Sequence, residues 1–466
     1  MEDDQQQKAT AEYEHMTAEL HAWRALLPPA LEPFYPFRAP NQPMPLYRGQ
    51  LRVNVPEGEF FVDGTVEMAW QPTVQVRYKS FADLPTKLAV GLFTEDFDSD
   101  FYPADITVVP KPPEAAATDD REPTVEGQLI QLQIGSGSAF SYVTFQLPNF
   151  LAYWGDWVRH GQEPDRGRLV LSAAGWRVTI DRRPDLDQVI NAVRRSGGYA
   201  LTHVGRLERE DHEPFTREQA REMIDGLYWF FSFVNGSASG PVLPVGFDDS
   251  GHAVWSEWSP SAAAVWHSAD GWADAHRPHE IANLFPGFLD RWLDPYWRRI
   301  VNIGIAYYLD ANVPRTVQRA VGAAQVVLEM LVYAILIDEQ QRTWEDVKPI
   351  GRAISELLRH YKIPTGIPDQ FTELAAEAAR EGWGSGPWAV VSLRNEVIHV
   401  KRGLEERPHK AWMQAWKLIV WYVELALLAT FGFNGEYGSR LSWPRWNGQV
   451  ERVPWATSTE LQPSQP

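Results

Sequence analysis

A chain of 466 residues, 44% hydrophobic and 22% charged, is too long for one ordinary core and has the apolar content of a globular protein built from several folding units. It contains no cysteine, which excludes disulfides, thiolate metal sites, iron–sulfur clusters and cysteine nucleophiles. The net charge of −18 argues against phosphate binding by the chain as a whole.

Residues 1–8 are acidic and glutamine-rich, unlike a signal peptide. Residues 418–433, read as the most apolar run, are shorter than a membrane span and carry Glu424. A cytoplasmic protein with no membrane partner is expected. Residues 10–26 read as a helix of mixed polarity and 27–45 as a proline-rich arm, so that 1–45 form an N-terminal extension. From 46 to 149 the pattern changes to short runs of period two: Leu51-Arg52-Val53-Asn54-Val55, Val74-Gln75-Val76-Arg77-Tyr78, Leu88-Ala89-Val90-Gly91-Leu92 and Leu129-Ile130-Gln131-Leu132-Gln133-Ile134. Such alternation predicts an antiparallel, sandwich-like β-rich domain with one solvated face. The Pro-, Ala- and Asp-rich residues 110–123 read as a disordered loop within it.

An α+β middle unit is expected over 150–289. Residues 168–182 read as a hairpin turning near Ala174-Gly175, 185–195 as a helix and 199–209 as a strand. Thr216-Arg217-Glu218-Gln219 has the form of a capping box, opening a helix with Met223, Leu227, Phe230, Phe231 and Val234 on one face and stopping at Asn235-Gly236. His203 and His212 read as packing residues, and His276-Arg277-Pro278-His279-Glu280 as a loop whose proline prevents a helical zinc spacing.

Residues 290–440 read as all-α, with helices over 291–309, 317–337, 343–361, 368–381, 388–401 and 409–431, and 441–466 as a tail. Charge divides the same way. Residues 290–440 hold 18 basic and 18 acidic side chains, whereas 1–289 hold 23 and 41, so the whole acidic excess lies in the first part. Trp229, Trp388, Trp416 and Trp421 read as core, while Trp443, Trp446 and Trp455 fall outside any clear core and would dock on a partner or on the protein itself.

The stretch Arg394-Asn395-Glu396-Val397-Ile398-His399 is the candidate site. On a helix, Ser392, Asn395, Glu396 and His399 share a polar stripe, while Val390, Val391, Leu393, Val397, Ile398 and Val400 supply the apolar remainder. Attack of a ribose 2′-hydroxyl on the adjacent phosphate needs a group that moves a proton near neutral pH and a fixed cation for the charge on the phosphoryl oxygens. His399 and Arg394 can serve, with Asn395 orienting either, and no metal or other cofactor is required. Ser392 supports from the same stripe. Glu329, alone between Arg319 and Asp338 in an apolar helix, is placed to orient Arg394 through a buried pair. Lys401, Arg402, Arg407 and Lys410 follow His399 and would hold RNA phosphates. Spacing by itself also fits a surface pair, since Arg206/His212 and Arg402/His409 share it outside any strongly apolar helix. Walker, dinucleotide and nucleophile-elbow patterns are absent from the sequence.

A multi-helix domain whose penultimate helix carries Arg394-Asn395-x-x-x-His399, followed by a long aromatic helix, resembles the HEPN superfamily. That superfamily's motif is an arginine, usually followed by a polar residue, then a histidine after four to six residues. Residues 199–207, 230–236, 305–312 and Tyr422-Val423-Glu424-Leu425 leading to Gly432-Phe433-Asn434-Gly435-Glu436-Tyr437 look like the ApeA-type group, associated with abortive-infection defence against phages. The resemblance implies a HEPN-like helical domain acting as a metal-independent endoribonuclease, with arginine and histidine of two protomers facing across a dimer interface. It further implies a homodimer or higher even oligomer, RNA as substrate, and a phage-derived trigger read by the β-rich region. The alternative is a non-catalytic dimerisation or binding module that recognises a protein or nucleotide ligand.

Overall fold

The computed structural model describes residues 2–81, 106–107, 125–399 and 407–456, apart from 56–57, 130–131, 136, 138, 261, 269, 314–315 and 443. The strand expected at Leu88 to Leu92, the loop at 110–123 and the last ten residues lie outside them. The chain is a multidomain α+β protein, with antiparallel sheets in its N-terminal and middle regions and helices in its C-terminal region. It divides into two compact units, one of residues 1–171, 176–220 and 241–266, the other of 172–175, 221–240 and 267–466.

The first unit begins with helix α1 (Glu2–Leu26). Strands β1 (Met44–Val55), β2 (Gly58–Ala69), β3 (Gln75–Ser80), β4 (Ile106–Thr107) and β5 (Val125–Leu129) form an antiparallel sheet in the order β4-β1-β2-β3-β5. Alternation decides its faces: Val66, Met68 and Val76 are buried, while the cross-strand neighbours Glu67 and Lys79 pair on the other side at 3.0 Å.

A second sheet of eight strands follows. Its members are β6 (Leu132–Ile134), β8 (Tyr142–Pro148), β9 (Asp156–His160), β10 (Glu163–Ala173), β11 (Trp176–Arg182), β12 (Leu201–Arg209), β14 (Val242–Phe247) and β15 (Ala253–Trp258), in the order β6-β15-β14-β8-β12-β11-β10-β9. Short strands β7 (Ala139–Phe140) and β13 (Phe215–Thr216) pair separately. Helix α2 (Leu186–Ser196) buries Leu186, Val189, Ile190 and Val193 and stops where Gly197 takes φ 68°, a left-handed conformation that glycine adopts without strain.

The sequence leaves open whether 46–149 and 150–289 are one domain or two; in the structure one apolar cluster spans residue 149. Strand β8 sits mid-sheet, bonded to β12 and β14, and Leu46, Val66, Met68 and Val76 share one apolar cluster with Ile134, Leu201, Val245 and Trp258. Two β-patterned stretches separated by loops look like two domains in sequence, whereas burial of their facing sides makes one.

His203, fully buried on β12, stacks on Tyr153 with ring centroids 5.2 Å apart and has an Nδ1–Thr202 Oγ1 contact of 3.0 Å. The Thr202 hydroxyl already donates to the Leu147 carbonyl at 3.0 Å, so the histidine Nδ1–H is the donor and Nε2 is a buried acceptor with no hydrogen-bond partner among the described residues. Burial, helped by the nearby Arg182 charge, lowers the histidine pKa to about 3. The unfolded chain, at the usual value of about 6.5, therefore takes up this proton first as pH falls. Stability is fully present above that value, and His203 should cost about 1.4 kcal/mol per pH unit below it, down to the folded pKa. Denaturant titrations at pH 7 and pH 4.5 check this: His203→Phe, which keeps the ring stack, should flatten that part of the pH dependence. An unchanged slope would assign the loss to other groups.

Helix α3 (Arg217–Asn235) opens with the expected capping box: Gln219 N donates to Thr216 Oγ1 at 3.3 Å and Thr216 N to Gln219 Oε1 at 2.8 Å. Its residues from Arg221 onward belong to the second unit.

In the second unit, helix α4 (Pro278–Leu293) occupies a segment read partly as loop. Proline at the first helical position lacks only an N–H that would be free anyway, so Pro278 starts a helix here. Asp294 then ends α4 and caps α5 (Pro295–Asn312), accepting from Tyr296 N at 2.8 Å and Trp297 N at 3.3 Å. Helix α6 (Val317–Leu331) continues as a π-helix over Val332–Glu339. This run, with mean hydropathy 2.1, is long and apolar enough to cross a membrane by composition, yet most of it is buried in the unit, where it packs on α5 and α11. The helix expected over 343–361 is two, α7 (Trp344–Val347) and α8 (Ile350–His360), divided at Lys348-Pro349. Helices α9 (Thr372–Glu381), α10 (Gly386–Ile398) and α11 (His409–Thr430) complete the set, followed by strands β16 (Glu436–Tyr437) and β17 (Glu451–Arg452).

Phe230, Phe233, Trp272, Phe285, Phe288, Tyr308, Phe431 and Phe433 form a continuous aromatic core with centroid separations of 5.1–5.9 Å. Residues 441–456, read as tail, belong to this unit. Val453 is buried, Arg445 Nη1 donates to the Gly271 carbonyl at 2.7 Å, and Trp455 Nε1 donates to the Phe433 carbonyl at 2.7 Å. Trp455 thus docks on its own chain. Trp446 stays exposed.

Candidate functional site

Pro387 near its N-terminus and buried Ala389, Val390, Val391 and Leu393 set α10 against α6, α8 and α11. Trp388, expected in the core, lies over Gly351 of α8 yet remains 38% exposed. The helix stops at Ile398, three residues short of the expected end. His399 is the residue after it, with φ −111° and ψ 64°, its N–H donating to the Asn395 carbonyl at 2.8 Å. Its imidazole is exposed. Val397 and Ile398, read with the packing residues, are 44% and 52% exposed.

Arg394 and Asn395 are half-buried, and Arg394 Nη1 donates to Asn395 Oδ1 at 3.3 Å. Arg394 Nε is enclosed and has no hydrogen-bond partner among the described residues. The pair expected between Arg394 and Glu329 does not form among them. Glu329 Oε1 instead accepts from Gln325 Nε2, one turn earlier on α6, at 2.7 Å. Ser392 is half-buried one turn before Glu396.

The expected RNA-binding cations separate. Arg407 is 8% exposed and spent on carboxylates: Nη1 donates to Glu377 and Glu381 at 2.8 Å each, and the Nε and Nη2 edge grips Glu396, with Nε–Oε2 at 2.9 Å. Those bonds, Glu396 first, push its pKa further up, and its guanidinium lies 5.4 Å from the Trp383 ring centre. Arg407 is therefore a structural clamp between α9 and α10 rather than a phosphate ligand, since four of its five N–H donors are taken by three carboxylates and it is buried. Arg407 and Arg380, which pairs with Glu377 and Glu381, set two positive charges against the three carboxylates, so the cluster stays net acidic. Lys410 is exposed in a loose pair with Glu373 at 3.3 Å and remains available. Lys401 and Arg402 lie outside the described residues.

One constellation escaped the sequence reading. Glu424 on α11 is fully buried and receives Arg440 through Nε–Oε2 at 2.7 Å and Nη2–Oε1 at 2.8 Å, and the Tyr308 hydroxyl at 2.8 Å. Arg440 also donates to the Asp270 carbonyl at 2.6 Å and to Asn312 Oδ1. Burial, then the Glu424 charge, pushes the Tyr308 pKa well up, leaving the phenol a neutral donor. A lone glutamate in a run as apolar as 418–433 was the available signal.

An open groove of about 520 Å³ lies where the end of α5 meets the start of α6, between Tyr307, Asp310, Thr316, Arg319 and Val326. None of the motif residues of α10 lines it.

Two stretches of the chain match YopA domain models. Residues 135–269 match the YopA central domain and residues 294–452 the YopA C-terminal domain. The first begins just after β6 and holds the rest of the eight-stranded sheet; the second runs from α5 to β17 and contains α10, the Arg407 clamp and the Glu424–Arg440 pair. The SPbeta prophage-derived uncharacterized protein YopA of Bacillus subtilis (strain 168) is 25% identical over 434 residues, which are 90% of this chain and 96% of that one. No solved structure matches the chain.

Proposed function

We propose that the helical unit is a metal-independent endoribonuclease of HEPN type, acting as a conditional antiphage effector whose β-rich unit senses the trigger. The observation that carries this reading is the end of α10. There an exposed histidine and an arginine without a carboxylate partner among the described residues lie five positions apart, beside exposed Val397 and Ile398. In the reaction the 2′-hydroxyl gives up its proton and attacks phosphorus, the bond to the 5′-oxygen breaks, and that oxygen takes a proton. A 2′,3′-cyclic phosphate and a 5′-hydroxyl result. His399 moves a proton and Arg394 holds the phosphoryl oxygens.

Two proton movements ask for two groups, and one motif supplies one histidine. A two-fold axis past Val397 and Ile398 supplies the second, with apolar surface to bury between the copies. The prophage origin of the Bacillus subtilis relative is in keeping with a role in phage conflict.

The test is cleavage of total cellular RNA in EDTA by the wild type and by His399→Ala, after checking that both fold and self-associate alike. Cyclic-phosphate ends from the wild type alone are expected. If neither cleaves, even when produced in phage-infected cells, the unit is a binding module.

A further inference from the structure

Helix α1 presents Tyr13, Met16, Leu20 and Trp23 exposed at 66, 59, 42 and 36%. Their separations of three, four and three residues are those of alternating a and d positions of a heptad repeat. Trp23 meets the Trp157 ring edge-on at 5.2 Å, while the other three side chains face outward. A helix of this length with so little of its apolar surface packed is marginal in water, and a seam of large apolar side chains along it needs cover.

We propose that α1 pairs with α1 of a second copy of this chain as a parallel two-stranded coiled coil. Charge selects both the occupant and its direction. With Tyr13 and Leu20 at a and Met16 and Trp23 at d, Glu19 falls at g and Arg24 at the following e. In a parallel pair each g residue faces the e residue five positions on in the other helix, so Glu19 meets the partner's Arg24 on both flanks of the seam. An antiparallel pair sets g against g and e against e, so Glu19 would no longer meet an Arg24 across the seam. Arg24 has no carboxylate partner among the described residues, and Glu19 touches only His15 of its own helix at 3.8 Å. His15, Ala18, His21 and Ala22 lie at b, c and f, away from the seam. This surface is independent of the α10 motif and stands whether or not the protein cleaves RNA.

The absence of cysteine makes the test direct, because any disulfide in a single-cysteine variant is intermolecular. In a parallel seam two d positions approach within the Cα separation that a disulfide spans, roughly 4.4–6.8 Å. Full-length Met16→Cys, mildly oxidised at micromolar concentration, should become mostly covalent dimer, at least tenfold faster than Ala18→Cys on the outer face. Equal rates would mean random collision and overturn the pairing. Cross-linking that appears only when Met16→Cys and Leu20→Cys are mixed, the a-to-d contact of an antiparallel pair, would overturn the parallel direction.

Discussion

Glu424→Ala should cost the helical unit roughly 3–5 kcal/mol, enough to abolish its cooperative unfolding under conditions where the wild type is folded. The substitution leaves the Arg440 guanidinium buried without its counter-charge and removes the acceptor of the Tyr308 hydroxyl. It also loosens α5, α11 and the segments around 236 and 270, because Asn312 Nδ2 donates to the Gly236 carbonyl at 2.6 Å and the Asp270 carbonyl at 2.7 Å while its oxygen receives Arg440. Arg440→Met should cost about as much, since it strands the carboxylate in turn. The double variant Glu424→Leu/Arg440→Met should recover most of the loss, because what is expensive is one buried charge alone rather than the missing bond. Denaturant unfolding of the four proteins, followed by circular dichroism and tryptophan fluorescence, checks the cycle. Additive losses in the double variant would mean that the two residues stabilise independently, against the bidentate geometry.

What the sequence made legible follows from how local each signal is. The Thr216 capping box, the α2 face and the division into β-rich and helical regions rest on patterns within a few turns of chain, and they stand in the structure. Boundaries that depend on long-range packing did not show. Strand β8 joins the N-terminal stretch to the middle sheet through β12 and β14, partners about 60 and 100 residues away along the chain. Prolines cut both ways: Pro278 begins a helix in a stretch that reads as loop, and Pro349 divides α7 from α8 in a stretch that reads as one helix. At the candidate site, residue type and spacing nominate Arg394, Asn395 and His399, but no pattern says which cations are free. Arg407 is consumed by Glu377 and Glu381 on α9 and by Glu396, and only folded geometry brings those acids to it. Glu329 faltered for the opposite reason, its acceptor being met by Gln325 four residues away.

Loss of His399 should lower RNA cleavage by about 10²–10⁴-fold, the range that a positioned proton donor or acceptor contributes. The more telling outcome is its dependence on dose. If the two proton movements of one cleavage use histidines from two copies, a dimer with one wild-type and one His399→Ala chain lacks either the group that takes the 2′-hydroxyl proton or the one that protonates the 5′-oxygen. Co-expressing the two chains with different tags at varied ratios, and purifying the pooled dimers, should give specific activity that falls as the square of the wild-type fraction. Half wild-type chain would leave a quarter of the activity. A linear fall would mean that each chain carries a complete site, so that the second proton moves through water or another residue of the same helix end. A square-law fall requires pairing close to α10, where exposed Val397 and Ile398 flank His399. Replacing both by serine should then weaken assembly and activity together, whereas Lys410→Ala, which removes only a surface cation, should raise the RNA concentration needed for half-maximal rate and leave assembly as it was.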